Sequence, residues 1–423
     1  MNNNTEIKIK GFRAIHSADI VLNGITVIAG INGCGKSTIS KLLYYAFDSA
    51  NSMDSIFLSN LIIGIHPITE IYEQLADTYV GLVEKYTFRT LLSKDMNRAR
   101  LQLEKVTKQF QENWANNPES PAVARLCQII NYNIGTTVTI KNVVETLLNH
   151  FDEQIAIYNY RKENRPVKSL DAKISSLFDE KTLLDNIKIF EYGVPFFDKD
   201  VVKVPFLHNI KDATYIESPL AINFSKGWHT EVEESSWALH LKLTNNQSSN
   251  DEINSIENYI GSSIIDGDIL FNADADEIVY QRNDGQTFPL QDCATGIKSF
   301  AMLKLLVKNG QINDRSLIII DEPEAHLHPQ WIVEYAKIIV ELNKQVGAKF
   351  FIATHSTDMV SALRYISEKE ETLERLAFYN AVPAKENPYT FDYEALEADI
   401  EPIFASFNKS FDLIEQYGAD SGI

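Results

Sequence analysis

Cysteine is scarce in this chain: Cys34, Cys127 and Cys293 lie far apart and are odd in number. That excludes a disulfide framework and a CxxC metal site, and it fits a reducing compartment, so a cytoplasmic location is expected. No apolar run approaches the roughly 20 residues that span a bilayer, and the N-terminus lacks the charged-then-apolar pattern of a signal peptide. No membrane partner is expected. Positive charge is in deficit, with 39 basic against 58 acidic side chains and a net charge of −19. Such a surface argues against strong, sequence-independent nucleic-acid binding by the chain as a whole, although a local basic patch stays open. Glycine becomes sparse over residues 49–203, no heptad persists long enough for an extended coiled coil, and no internal repeat is visible. A length of 423 residues leaves room for two or three lobes.

Against this background one segment is dense in information. Residues 30–37 read G-I-N-G-C-G-K-S, directly after the apolar run Ile25-Thr26-Val27-Ile28-Ala29 and before a helical pattern with Ile39, Leu42, Leu43 and Ala46 on one face. This is a P-loop, and a nucleoside triphosphate is its ligand. The glycines Gly30, Gly33 and Gly35 let backbone N–H groups curl around phosphate oxygens, with Cys34 and Thr38 in the same loop and helix start. Lys36 reaches the outer phosphates, and the Ser37 hydroxyl ligates Mg²⁺. A helix opening at Gly35 adds its positive dipole end to the site.

The coarse organisation follows from periodicity. Ile7-Lys8-Ile9-Lys10 alternates like a half-buried strand, and residues 20–28 read as two more strand-like runs with a hairpin turn at Asn23-Gly24. Residues 49–203 read as a helical insertion, with turns at residues 117–121 and 163–166. The sheet resumes at residues 212–217 and continues through 264–271 and 277–281, with a second hairpin signal at Asn283-Asp284-Gly285. A helix is expected over 295–308, an apolar strand over 316–320, a helix over 330–344, another apolar strand over 349–353 and a helix from Ser356. Buried strands alternating with helices describe a parallel sheet covered on both faces.

Two of these strands deliver chemistry. Leu317-Ile318-Ile319-Ile320-Asp321-Glu322 is an apolar strand with two carboxylates at its C-terminal end, where open α/β sheets place their ligands. It fits a Walker B segment in which Asp321 holds Mg²⁺ through water and Glu322 orients and polarises the attacking water. The strand ending in Ala353-Thr354-His355-Ser356 sets His355 beside those carboxylates, close enough to contact a γ-phosphate.

These segments resemble the ABC/SMC/RecF branch of P-loop ATPases, and most closely the short prokaryotic ATPases grouped with the OLD-family and Septu-type defence ATPases. The resemblance rests on Gly11-Phe12-Arg13, on Asn32 inside the P-loop, on Q-D-C-A-T-G-I-K-S at residues 291–299, on D-E-P-E-A-H-L-H-P at residues 321–329, and on Ala353 to Ser356. It implies an α/β fold of ABC/SMC-like type with a mixed sheet flanked by helices. The expected divisions are a first ATPase lobe (1–48), a helical insertion (49–203) and a second lobe (204–423). It also implies that Arg13 reaches the phosphates and that Asn32 faces a partner subunit. Cys293 to Lys298 would be the signature loop, in which Thr295, Gly296 and Lys298 meet the γ-phosphate of a second copy. The family commonly has serine where Ala294 stands, so the contact in trans falls to Thr295 or to backbone N–H groups. His326 and His328 are spaced H-x-H, but no further ligand completes a zinc site, and a dimer-contact loop is the better reading.

Function follows as an expectation: a Mg²⁺-dependent ATPase that dimerises around ATP and controls a separate effector, a nuclease or toxin, in antiphage defence. Only 68 residues follow His355, too few for the Toprim domain of OLD-family proteins. The alternative is a RecF-like repair ATPase with a DNA-binding surface. Its candidate is the stretch with Lys85, Arg89, Lys94, Arg98, Arg100, Lys105 and Lys108, but Glu84, Asp95 and Glu104 interleave it, and composition favours a solvated helix face. A transporter subunit is disfavoured by the 259 residues between Lys36 and Gly296.

Overall fold

The computed structural model describes residues 5–79, 88–135, 137–217, 234–244, 254–272, 277–396, 399–407 and 415–417. Strands β1 (Thr5–Phe12), β2 (Ile15–Leu22) and β3 (Ile25–Ala29) lead into helices α1 (Lys36–Asn51), α2 (Met53–Gly64), α3 (His66–Tyr79), α4 (Phe88–Lys94), α5 (Met96–Trp114), α6 (Pro121–Ile134), α7 (Val143–Asn164) and α8 (Val167–Leu177). Then come β4 (Ile187–Glu191), β5 (Val194–Phe197), β6 (Asp212–Glu217), α9 (Glu234–Thr244), α10 (Asn254–Tyr259), β7 (Gly267–Asn272), β8 (Glu277–Arg282), β9 (Thr287–Pro289) and α11 (Thr295–Lys308). The chain closes with β10 (Ser316–Asp321), α12 (Pro329–Val346), β11 (Lys349–Thr354), α13 (Thr357–Lys369), β12 (Leu376–Pro383), β13 (Phe391–Leu396) and α14 (Glu401–Phe407).

Two units emerge, one made of Met1–Asn51 with Val167–Ile423 and one of Ser52–Pro166. The first unit holds a ten-stranded mixed sheet in the order β5-β4-β1-β2-β13-β12-β3-β11-β10-β6. The block β12-β3-β11-β10-β6 is parallel. Its central strands β3 and β10 are buried along their whole length, which is why they read as unbroken apolar runs. β1 and β2 alternate buried and open residues, as an antiparallel pair with one covered face does. On one face lie α11 and α12, where Phe300 packs edge-on against both Trp331 and Tyr335. Full burial of the Phe300 ring contributes about 1.5–3 kcal/mol. α12 begins with His328 as its cap and Pro329 in its first turn, and stops at Gly347 in the left-handed region.

The second unit is helical. In α5 the buried residues Ala99, Leu103, Val106 and Phe110 form one stripe, spaced three and four apart. On its open face Arg100 makes two 2.7 Å bonds to the Asp152 carboxylate, and Lys108 bonds Glu104. Lys85 and Glu84 of the basic stretch lie outside the described residues. Among the described residues no single helix is long and apolar enough to cross a membrane.

The α/β class and mixed sheet match the expectation, and α11 occupies the expected range residue for residue. Three local readings change. The helical unit is narrower than 49–203: α8 belongs with the first unit, and β4 and β5 are the last two strands at one end of its sheet. Asn23-Gly24 turns the chain, with Gly24 at φ 67°, but makes no hairpin, because β13 and β12 lie between β2 and β3. The first hairpin is instead β1–β2, closed at Arg13-Ala14. Residues 260–264 form a π-helical turn ahead of β7 rather than the start of a strand. The Asn283-Asp284-Gly285 hairpin forms as expected between β8 and β9.

Candidate functional site

The P-loop joins the C-terminal end of β3 to α1. Gly35 has φ 99°, and a Cβ there would stand 2.9 Å from Ile15 of the β1–β2 hairpin, so both backbone shape and space call for glycine. Its carbonyl accepts the Ile39 N–H at 3.1 Å, opening the helix where expected. Lys36 is buried, its Nζ donating to the carbonyls of Gly30 (2.8 Å) and Ile31 (3.0 Å), so the ammonium is held inside the loop that a phosphate would enter. Asn32 and Gly33 form the exposed tip, Ser37 is exposed and Thr38 half-buried on the first turn of α1. Cys34 points inward: its carbonyl accepts from the Tyr393 hydroxyl at 3.1 Å, and burial pushes the Tyr393 phenol far up, so it stays a donor.

Asp321 ends β10 next to this helix start. It is buried; Tyr215 on β6 donates to its Oδ2 at 3.2 Å, and its Oδ1 is buried without a hydrogen-bond partner. Burial pushes the Asp321 carboxyl above the usual range, the Ser37 and Tyr215 hydroxyls pull it down, and the charges of Glu322 and Glu217 push it up. An unpaired carboxylate oxygen beside a serine hydroxyl fits a hard, oxygen-seeking divalent cation, so Ser37 and Asp321 are the residues that would hold Mg²⁺. Such an ion would neutralise charge on the outer phosphates.

Glu322 follows in the left-handed region at φ 55°, its N–H bonded to the Ala353 carbonyl at 2.8 Å. For a residue with a Cβ this conformation costs about 1–2 kcal/mol. It turns the carboxylate away from the strand and toward β11, whose next residues carry His355. The His355 Nδ1 stands 3.5 Å from Glu322 Oε1 and 3.3 Å from Glu324 Oε1. P-loop, Asp321, Glu322 and His355 therefore converge at the C-terminal ends of three adjacent parallel strands, β3, β11 and β10.

The remaining expected residues are placed differently. Arg13 donates to the Phe178 carbonyl at 2.8 Å and stacks over the Phe12 and Phe178 rings, which anchors the β1–β2 hairpin. At the start of α11, Thr295 keeps accessible surface, whereas Gly296 and Lys298 are buried within the chain. A Cβ on Gly296 would lie 2.3 Å from the Trp331 ring, so its small size is explained by packing. Ala294 gives α11 no side-chain cap. His328 Nδ1 accepts the Gln330 N–H as the α12 cap, and among the described residues no His, Cys, Asp and Glu group could hold a metal by itself. Sequence reasoning passed over Tyr215, Tyr393 and Trp331, for which no local signal exists, and gave no role to Glu324, which stood inside the quoted motif.

A family profile described as AAA ATPase domain matches residues 5–360. The energy-coupling factor transporter ATP-binding protein EcfA3 of Clostridium perfringens is 36% identical over 72 residues, which are 17% of this chain and 25% of that protein. EcfA2 of the same organism is 35% identical over the same length and shares. The chain thus spans about a quarter of the length of the curated relatives it matches. Among solved structures, the SMC head domain from Thermotoga maritima aligns at 11% identity over 93% of this chain and 99% of that one, with a TM-score of 0.37. The cbiO1 protein of Clostridium perfringens, part of the ABC transporter complex cbiONQ, aligns at 11% identity over 99% and 100%, with a TM-score of 0.36.

Proposed function

This chain belongs to the AAA ATPase domain family, and from that premise we propose a Mg²⁺-dependent ATPase of ABC/SMC-like type in which two copies close around ATP and drive a separate effector. The observation that carries the reading is the convergence of Lys36, Ser37, Asp321, Glu322 and His355 at the C-terminal ends of three adjacent parallel strands. In this reading Lys36 leaves the Gly30 and Ile31 carbonyls for the outer phosphates, a charge-assisted contact stronger than the two it gives up. Glu322, accessible and beside His355, accepts a proton from the attacking water, and His355 donates toward the γ-phosphate. Thr295 and the uncapped N–H groups at the start of α11 form an anion-binding surface that a second copy would present to this site.

The effector is a nuclease or toxin, and the setting antiphage defence; this part rests on the resemblance to OLD-family and Septu-type ATPases. The RecF-like alternative gains no support from α5, where Arg100 and Lys108 are engaged by Asp152 and Glu104. Glu322→Gln tests the core of the proposal, because the amide keeps hydrogen bonds but cannot take a proton. Mg-ATP affinity by calorimetry is expected to be retained, turnover to fall about a hundredfold or more, and light scattering to show an ATP-dependent dimer. Turnover within about threefold of the parent would remove Glu322 from its role, given the usual size of a general-base effect. A protein that stays monomeric in saturating Mg-ATP would remove the closure.

A further inference from the structure

We propose that Glu324 is the positioning residue of His355, acting on the reaction through the imidazole; this rests on the reading above, in which His355 serves the γ-phosphate. The Glu324 side chain is 6% exposed and sits on the loop after β10. Its Oε1 gathers the end of β11: the Thr354 hydroxyl donates at 2.7 Å, the His355 N–H donates at 2.9 Å, and the His355 Nδ1 lies at 3.3 Å. The first two bonds fix the loop that carries the ring. The approach of Nδ1, at ion-pair distance, sets the ring against the same oxygen.

The tautomer follows from the same geometry. Nδ1 faces carboxylate oxygens of both Glu324 and Glu322, and a lone pair directed at them would be repelled, so Nδ1 carries hydrogen. Nε2 is then the nitrogen that faces phosphate, and it donates to a phosphate oxygen in the form of the ring that carries hydrogen on both nitrogens. Glu324 also differs in kind from its neighbour Glu322. Glu322 is 39% exposed and can meet water, whereas Glu324 Oε2 is buried with no hydrogen-bond partner. Among the described residues no Lys or Arg lies within ion-pair distance of Glu324. A buried carboxylate left this incomplete is costly unless a positive or hydrogen-bearing partner offsets it, and the His355 ring is that partner. The Glu324 carboxylate offsets the charge of that doubly protonated ring and holds it in place.

A simple loop clamp makes a different demand. For that role an amide oxygen accepts from the Thr354 hydroxyl and the His355 N–H as well as a carboxylate does, so Glu324→Gln separates the two. The expected result is a fall in kcat of about tenfold or more, in the range typical of groups that orient a reacting side chain, with KM for ATP within about twofold of the parent. In a His355→Ala background the same substitution should change kcat by less than about twofold, because its route to the reaction is already gone. Parental kcat for Glu324→Gln, or losses that multiply in the double variant, overturn the proposal. If circular dichroism shows that Glu324→Gln fails to fold, Glu324→Asp, which keeps the charge but draws it back by one methylene, enters the same cycle with the same expected non-additivity. His355→Ala with parental turnover overturns the functional reading and this proposal with it. Low turnover in His355→Ala beside full turnover in Glu324→Gln overturns this proposal alone.

Discussion

Asp321 is buried next to Ser37 and Tyr215 with one oxygen unpaired, and burial holds its pKa above the usual carboxylate value. A raised pKa in the folded state means that the ionised form is less favourable there than in the unfolded chain. The cost is absent below the unfolded value, grows as pH rises through the folded pKa, and is fully present above it. Asp321→Asn removes that cost, so in metal-free, nucleotide-free buffer at pH 7 the unfolding midpoint of the variant should lie above that of the parent. Mg-ATP should then stabilise the variant much less than the parent, since a ligand stabilises only through its affinity for the folded state. Scanning fluorimetry with and without Mg-ATP reads both effects. A lower midpoint in metal-free buffer would mean that the Tyr215 and Ser37 hydrogen bonds outweigh the desolvation.

At the scale of the element, the start of α11 contains two neighbouring positions with opposite expectations. Ala294 has the extended backbone of an N-cap, φ −56° and ψ 145°, but no side-chain oxygen to receive a first-turn N–H. Ala294→Ser supplies one and should stabilise the protein by about 1 kcal/mol. Two residues on, Gly296→Ala drives a methyl group into the Trp331 ring and should destabilise by about 1–3 kcal/mol, the usual range for overpacking. Urea unfolding of both variants measures the pair. Equal stability of Gly296→Ala and parent would show that Trp331 moves aside freely. The same contact means that α12, which begins at the end of the loop after β10, bears directly on the start of α11.

At the scale of the whole molecule, each residue of the candidate site belongs to the unit made of Met1–Asn51 and Val167–Ile423. The helical unit Ser52–Pro166 is inserted between α1 and α8, two helices that pack against each other. Replacing residues 52–166 by a flexible linker should therefore leave Mg-ATP binding within about threefold of the parent, as excision of an inserted domain with neighbouring ends allows. Calorimetry is the measurement. A folded excision variant that no longer binds nucleotide would show that the helical unit holds the P-loop in shape.

The sequence by itself determined the parts governed by short-range rules. The P-loop residues, the carboxylates of Asp321 and Glu322 and the limits of α11 depend on the identity and spacing of near neighbours, because helix and strand periods repeat within two to four residues. Even β4 carried its signal, since Ile187-Lys188-Ile189 alternates with period two and Tyr192-Gly193 turns the chain, but it was submerged in a helical stretch. Tertiary structure alone decided the rest. β12 and β13 enter the sheet between β2 and β3 although hundreds of residues separate them in the chain. Arg13 meets the Phe178 carbonyl, Trp331 closes over Gly296, and Glu324 takes hold of the loop that presents His355. These contacts join positions that no local period connects. They are settled only when burial, hydrogen bonding and shape are satisfied together across the folded chain.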